Sequence, residues 1–389
     1  MKKDGVTPKN KGFEINNMVS GLTLPFRYRR NDMQKPKVSV IMPVYNSKTY
    51  LRESIESIIN QSYQNWEMII INECDSNDGS KNIILEYAKK DIRIILIQNN
   101  IKLGLAESLN IGIRLAQGKY VARMDADDLS HPNRLEKQVK LMNDNPNIGI
   151  CGTYQRHFGS DINWIHKPPI TIEECRANLL FDCDLCHSTL MLRKDAIIKY
   201  NLFYDKNYLA EDFELWTRAV TVTDIINIPE ILGEYRWGSG NITATKKSKL
   251  ASENAVIVAN SLKRNLDMDI PNDKYILLEG WRNPFKEEKN RIVRKHMYQD
   301  FEKLLTDIYY QNKRVRFYDE YALLNIIAAK WRNVRYLEPR NIKRNINSLE
   351  EIFNNYYFPN LSMIFKQYLS IYPTWKSRLL KIFKLIRKL

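Results

Sequence analysis

Apolar residues first concentrate at Val38-Ser39-Val40-Ile41-Met42, a short run bounded by Pro36 and Pro43, and this reads as a buried β-strand. Ser47 is then positioned to cap a helix whose Leu51, Ile55, Ile58 and Ile59 fall on one face. The alternation repeats. Met68-Ile69-Ile70-Ile71 predicts a second strand and Ser80 to Lys90 a helix; Ile94-Ile95-Leu96-Ile97 predicts a third strand and Gly104 to Gln117 a helix; Tyr120 to Met124 predicts a fourth strand. Strands that are apolar on both faces and alternate with helices imply a parallel α/β sheet covered on both sides. In such sheets ligands bind beyond the carboxyl ends of the strands. The polar clusters Pro43 to Asn46, Glu73 to Ser80 and Asp125 to Asp128 all fall there.

The texture changes twice. Residues 1–36 are polar and basic and read as a loose arm; residues 37–244 hold the α/β pattern and then a mixed stretch of short strands and helices; residues 245–389 read as helix almost throughout. The last segment, Trp375 to Leu389, sets Leu379, Ile382, Phe383, Ile386 and Leu389 along one stripe, with Lys381, Lys384, Arg387 and Lys388 on the other side and no acidic residue. A chain of 389 residues with 44% hydrophobic content fits one large domain with an appendage, or two domains, and excludes a disordered class. Five cysteines and an N-terminus without an apolar core predict a reduced, cytoplasmic protein. No apolar run reaches membrane-spanning length. The net charge of +15 calls for an acidic partner or surface. No helix-turn-helix, zinc-finger or RNP-like motif accompanies it, so an anionic membrane met by the C-terminal helices fits better than nucleic acid.

Arg123-Met124-Asp125-Ala126-Asp127-Asp128 places three carboxylates at the end of the fourth strand. Oxygen donors at such a point suit a hard divalent ion, Mg²⁺ or Mn²⁺, that keeps positions for a substrate diphosphate, although acidic residues also gather at helix N-termini and Pro132 follows closely. Glu211-Asp212-Phe213-Glu214-Leu215-Trp216 is a second acidic cluster, which by composition is the first turn of a helix. Cys183-Asp184-Leu185-Cys186-His187 has the spacing of c-type haem attachment, but nothing in the chain predicts export, and the spacing is read as coincidental.

The order of these clusters, from Ser39-Val40-Ile41-Met42-Pro43-Val44-Tyr45-Asn46 through Asp75-Ser76-Asn77-Asp78-Gly79-Ser80, Gly104 to Gly112, Asp125 to Asp128 and Glu211 to Trp216, resembles the family 2 glycosyltransferases, over roughly Lys37 to Thr243. The resemblance implies a GT-A fold, a Rossmann-like nucleotide-diphospho-sugar transferase domain, followed here by the helical region. It implies that Pro43, Tyr45 and Glu73 line a nucleobase pocket, with Glu73 accepting a base imide proton although Glu73-Cys74-Asp75-Ser76 replaces the usual Asp-Asp-Gly-Ser. It implies further donor contacts at Asn46, Asp78, Arg123, Asp125 and Ala126, a metal ligand at Asp127, and a catalytic base at Asp212 with Glu211 beside it. His187, Trp216 and Arg236 are candidates for the acceptor side, and His187 is equally a core histidine by its apolar surroundings. Tyr235-Arg236-Trp237-Gly238 resembles a Tyr-Arg-x-His element with Gly238 in place of the His, whereas Arg134-Leu135-Glu136-Lys137-Gln138 reads by composition as a charged helix face.

The expectation is therefore a metal-dependent inverting glycosyltransferase, peripheral on the inner face of a bacterial membrane, taking a nucleotide-diphosphate sugar (UDP-sugar favoured) to a glycan or lipid-linked acceptor in surface polysaccharide synthesis; oligomerisation is compatible with it. A nucleotidyltransferase, the first alternative, would carry a Gly- and Lys/Arg-rich phosphate loop where this chain has Val44-Tyr45-Asn46. A basic nucleic-acid-binding protein is the second, prompted by charge alone.

Overall fold

The computed structural model describes residues 22–23, 36–159, 161–238, 245–279, 284–335, 349 and 352. Most of the expected arm and the segment Trp375–Leu389 lie outside them. The chain begins with a two-residue strand β1 (Leu22–Thr23), followed by β2 (Val38–Val44), α1 (Leu51–Ile59), β3 (Trp66–Asn72), α2 (Ser80–Lys90), β4 (Ile94–Asn99), α3 (Gly104–Leu115) and β5 (Tyr120–Arg123). There follow β6 (Leu129–Ser130), α4 (Arg134–Asp144), β7 (Ile148–Gly159), β8 (Ile162–His166), α5 (Ile172–Asn178), β9 (Met191–Arg193), α6 (Lys194–Lys199), α7 (Glu211–Ala219) and β10 (Asp224–Arg236). The described strands form one sheet in the order β1-β4-β3-β2-β5-β9-β7-β10-β6, with β8 paired to β7.

The half built from β4, β3, β2 and β5 is parallel, in line with its apolar strands. All seven residues of β3 are buried, and so is every residue of β2 except Pro43. Beyond β5 the parallel expectation gives way: β9 runs antiparallel to both β5 and β7. Val40, Met42, Met68, Ile70 and Tyr120 form the centre of the core. Helix α3 is pressed against β2 so closely that a Cβ at Gly112 would lie 2.4 Å from Ile41 Cγ2. The turn into β5 is equally tight, because a Cβ at Gly118 would meet Ser39 N at 2.6 Å. Buried Glu67 holds that turn, accepting from Ser39 Oγ (2.6 Å) and Gln117 N (2.7 Å). Ser47 does not cap α1 through its side chain as expected; its carbonyl accepts from Tyr50 N (3.1 Å) and Leu51 N (3.0 Å), and the helix starts later.

Two compact units are present: residues 1–175 with 182–246, and residues 247–389 with 176–181. The second is helical in its described residues, with Lys247–Leu266, Arg291–Val315 and Glu320–Arg335 as its long helices. Leu262, Leu305, Ile308, Leu323 and Ile327 are fully buried there. Two of its buried polar side chains meet Tyr318: Asn265 Nδ2 donates to Tyr318 Oη (2.8 Å), and Asn312 exchanges two 2.9 Å hydrogen bonds with the Tyr318 backbone. Among the described residues no helix is long and apolar enough to cross a membrane.

Candidate active site

The carboxylate segment leaves β5 and bends at Ala126 and Asp127, with burial alternating along it. Met124 (1% exposed) and Ala126 (5%) turn into the core, while Asp125 and Asp127 remain partly exposed. Ala126 therefore offers no side chain to a donor, contrary to expectation, because its methyl group is part of the hydrophobic cluster. Asp128 is buried; its Oδ1 accepts from Arg236 N (2.9 Å), and the Ser188 hydroxyl also bonds to its carboxylate. The segment is tied on two sides: Ser54 Oγ of α1 donates to the Asp128 carbonyl (2.8 Å), and Arg236 Nε donates to the Asp127 carbonyl (2.9 Å). Strand β10 can deliver Arg236 because it bulges around Pro229, where residue pairing with β7 jumps from Ile228 to Ile231. Arg236 also pairs with Glu53 (2.7 Å) and covers the ring of Tyr50 at 4.0 Å. It thus braces the carboxylates, which revises its expected place on the acceptor side.

Burial and mutual repulsion act on this cluster. Asp127 is pushed up to about 6, first by burial and then by the Asp125 charge, and Asp128 is raised well above the usual carboxylate range by burial and both neighbours. The compensating cation within the protein is Arg123, 5% exposed, which pairs with Asp125. Burial opposes its charge, but Asp125 more than offsets this and its guanidinium stays protonated. Its field reaches Asp127, His187, Tyr204, Glu211 and Asp212, so these groups share one electrostatic site. Arg134, the first residue of α4, is 1% exposed and donates to the carbonyls of Ser188 (2.7 Å) and Arg123 (3.3 Å). Gln138, one turn on, bridges the Cys151 and Thr189 carbonyls at 2.8 Å each. The face expected to be merely charged and solvated therefore joins α4 to the strands under the site.

Opposite lies the start of α7. Glu211 is 8% exposed and pushed up to about 8 by burial and then by Asp212. Asp212 keeps 27% of its side chain exposed; burial raises it, against the Phe213 N–H that donates to Oδ1 at 2.7 Å. Cys183 Sγ lies 3.6 Å from Asp212 Oδ2 and His187 Nδ1 lies 3.8 Å from it. The His187 ring is held by Tyr204 Oη at 2.8 Å from Nε2 and by Trp216 edge-on at 5.7 Å, and burial keeps it neutral. Trp216 is itself wholly buried. It cannot meet an acceptor, as was expected of it, and serves as the wall behind His187. Tyr204 carries no motif, and Cys183 belongs only to the spacing read above as coincidental; Tyr204 reaches the site because Asn110 of α3 exchanges two 2.9 Å hydrogen bonds with its backbone. The thiols of Cys183 and Cys186 are both raised by burial, which leaves them protonated within the fold.

At the far strand ends, Tyr45 is 49% exposed with Lys102 Nζ 4.8 Å above its ring, and Lys102 pairs with Asp75 at 2.7 Å. Pro43 precedes it, partly exposed. Glu73 is not available to a base. It is 6% exposed; Oε2 accepts from Leu103 N (2.8 Å) and Gly104 N (3.1 Å), and Oε1 accepts from Ser108 Oγ (3.1 Å) and Asn99 Nδ2. Its carboxylate caps α3. Asp78 is likewise committed, accepting from Lys48 N (2.7 Å), Ser80 N (3.0 Å) and Ser80 Oγ (2.6 Å). Asn46, with φ 49°, accepts from Asn77 N (3.0 Å) and donates its own N–H to Ser76 Oγ (3.0 Å), which joins the two loops. Glu73, Asp78 and Asn46 thus use their polar atoms to cap α3 and to join the loops at these strand ends.

The match to known proteins agrees with this geometry. The model of the family described as "Glycosyl transferase family 2" matches residues 39–201. An uncharacterized glycosyltransferase of Haemophilus influenzae is 33% identical over 287 residues, covering 68% of this chain and 85% of that protein. TuaG of Bacillus subtilis, named for teichuronic acid biosynthesis, is 31% identical over 218 residues, covering 54% and 83%. The crystal structure of S. aureus TarS 1–349 in complex with UDP-GlcNAc superposes with a TM-score of 0.54 at 17% identity, covering 78% of this chain and 90% of that one, and has the same GT-A fold. With its α/β sheet, strand-end carboxylates and 85% coverage of a relative at 33% identity, the chain belongs to glycosyl transferase family 2.

Proposed function

We propose that the chain transfers a sugar from a nucleoside-diphosphate donor to a hydroxyl of a glycan or lipid-linked glycan, with inversion, in the synthesis of a bacterial surface polysaccharide. The observation that carries the reaction is the division of labour at the head of α7. Glu211 is buried and holds its proton near neutrality, whereas Asp212 is partly exposed and receives an N–H at Oδ1. Inversion needs one group to take the acceptor proton as the hydroxyl attacks the anomeric carbon, and Asp212 Oδ2 is that group. Arg123 pairs with Asp125 and His187 lies beside Asp212, and in this reading Asp125 would meet the donor sugar or ribose.

The residues at Asp127 fit a divalent ion, Mg²⁺ or Mn²⁺. Asp125, Asp127 and Asp128 crowd one another strongly enough to raise both Asp127 and Asp128, and Asp127 keeps a partly exposed carboxylate, so a cation held there would relieve the repulsion. Among the described residues no three His, Cys, Asp or Glu side chains form a closed metal cage, so Asp127 would hold the ion with one or two oxygens and the diphosphate would supply others. When bound, the ion supplies positive charge against the departing diphosphate. TarS binds UDP-GlcNAc, and Tyr45 offers a face on which a base can stack, which supports a nucleotide sugar. With Glu73 committed to α3, base choice passes to the exposed Tyr45, Lys102 and Asp75.

Screening UDP-, GDP-, CDP- and dTDP-sugars with Mn²⁺ for release of nucleoside diphosphate tests the reading. Asp212→Asn should lower turnover by about a hundredfold or more while donor binding persists. Near-normal turnover in that variant would remove Asp212 as the base. Excess chelator, or Asp127→Asn, should abolish transfer; full activity in chelator excludes the metal. A location on the inner face of the membrane is supported by the +15 charge and the Trp375–Leu389 pattern.

A further inference from the structure

The sheet edge formed by β10, β7 and β8 carries a group of rings that the reaction above does not use. Cross-strand partners share a face of a sheet. Tyr235 pairs with His157 and His157 with Trp164, so these three lie in one row; His166 pairs with Gln155, one step along the same face. His157 is the hub, with ring centroids of Trp164 at 4.1 Å, Tyr235 at 5.0 Å, His166 at 5.7 Å and Trp237 at 6.1 Å. The Trp237 indole N–H donates to His157 Nδ1 at 2.7 Å, which fixes the ring. Trp164 is nevertheless 45% exposed. With Tyr235, Trp237 and His166 also partly exposed, Trp164 belongs to a contiguous aromatic surface rather than standing alone.

Two connections lead from this face to the catalytic base. His166 Nε2 contacts the Asp184 carbonyl at 2.9 Å and Asp184 Oδ1 at 3.2 Å, and the preceding residue, Cys183, touches Asp212 Oδ2. Gln155 Nε2 donates to Ser188 Oγ at 2.6 Å, next to His187. The rings therefore continue into the segment that borders Asp212. A pyranose has an apolar face of C–H groups and a rim of hydroxyls, so it matches the half-exposed Trp164 indole beside the partly exposed Tyr235, His166 and Asp184; His157, whose Nδ1 takes the Trp237 N–H and whose Nε2 is buried, supports the indole from behind.

We propose that the face made by Trp164, His157, His166 and Tyr235 is an acceptor subsite that stacks a pyranose ring of the acceptor glycan, next to the sugar whose hydroxyl reacts at Asp212. This rests on the transferase reading, and its test separates the two. Saturation-transfer NMR on the full chain, with methyl glycosides of glucose, galactose, mannose and N-acetylglucosamine as probes and mannitol as an open-chain control, should show transfer to ring C–H protons and none to mannitol. Trp164→Ala should weaken binding about five- to tenfold, and Trp164→Phe should restore most of it, as expected for loss and return of a stacking face. Equal signals from wild type and Trp164→Ala, or no signal from any glycoside, would overturn the subsite. Loss of self-association in Trp164→Ala without a glycoside response would overturn it in favour of a protein interface. Binding of UDP or GDP with Mn²⁺ by the same wild-type sample, read by thermal stabilisation, tests the transferase reading separately.

Discussion

A carboxylate serves as a base only if it is charged and reachable, and in Glu211 and Asp212 the two properties have separated. Glu211 is raised from 4.5 to about 8, by burial first and by Asp212 second, so its proton is held in the native state across the range where the unfolded chain has lost it. The native state then binds more protons than the unfolded one, and stability falls as pH rises. That contribution is complete below about 4.5 and is lost as pH passes about 8. Replacing Glu211 by Gln, which imitates the protonated form, should flatten the decline. Thermal midpoints of wild type and Glu211→Gln between about pH 5 and pH 9 decide it: parallel curves would mean that Glu211 is not held protonated. At this scale strand-end position singles out Asp125 and Asp127, whereas Asp212 is singled out by resemblance to the family, its helix-start position alone reading as an acidic first turn. The sequence could not show that Glu73 and Asp78 use their oxygens on backbone N–H groups, since a motif records a residue and not its hydrogen-bond partners. Tyr204 was invisible because its place depends on Asn110, 94 residues earlier.

Elements were legible where a simple period governed them. β2 to β5 read directly from their apolar runs, and the polar loops at their ends marked the site. β7 mixes Thr, Gln, Arg and His, β9 has three residues, and β10 contains Pro229, so no period announced the antiparallel half of the sheet. The start of α3 shows how an element can absorb a residue that looks functional. A helix N-terminus leaves backbone N–H groups unpaired, and Glu73 Oε2 takes those of Leu103 and Gly104. Glu73→Ala should cost about 1–3 kcal/mol, the usual penalty for stranding buried donors. The ratio of UDP to GDP affinity should stay as in the wild type. Chemical denaturation measures the first and competition binding the second. A stable variant with an altered base preference would return Glu73 to the nucleobase.

The whole molecule carries 60 basic against 45 acidic residues, and the segment from Trp375 to Leu389 contributes basic residues without one acid. Its apolar stripe of Leu379, Ile382, Phe383, Ile386 and Leu389 opposite Lys381, Lys384, Arg387 and Lys388 has the pattern of a helix lying in a membrane interface. Each basic residue near an anionic surface contributes about 1 kcal/mol, so the four named here would give roughly 4 kcal/mol before the apolar stripe is counted. That is enough for reversible attachment, and it would bring the site to a lipid-linked acceptor without a spanning helix. The same stripe could instead pack on the helices before it, where truncation would expose their apolar surface and unfold them. Flotation with vesicles of phosphatidylglycerol and phosphatidylcholine distinguishes the two. A chain ending before Trp375 should keep its thermal midpoint and its activity on a soluble glycoside while losing attachment to anionic vesicles, and attachment of the full chain should weaken as salt is raised. Attachment unchanged by truncation would exclude the anchor, and a lowered thermal midpoint would identify the stripe as part of the helical core.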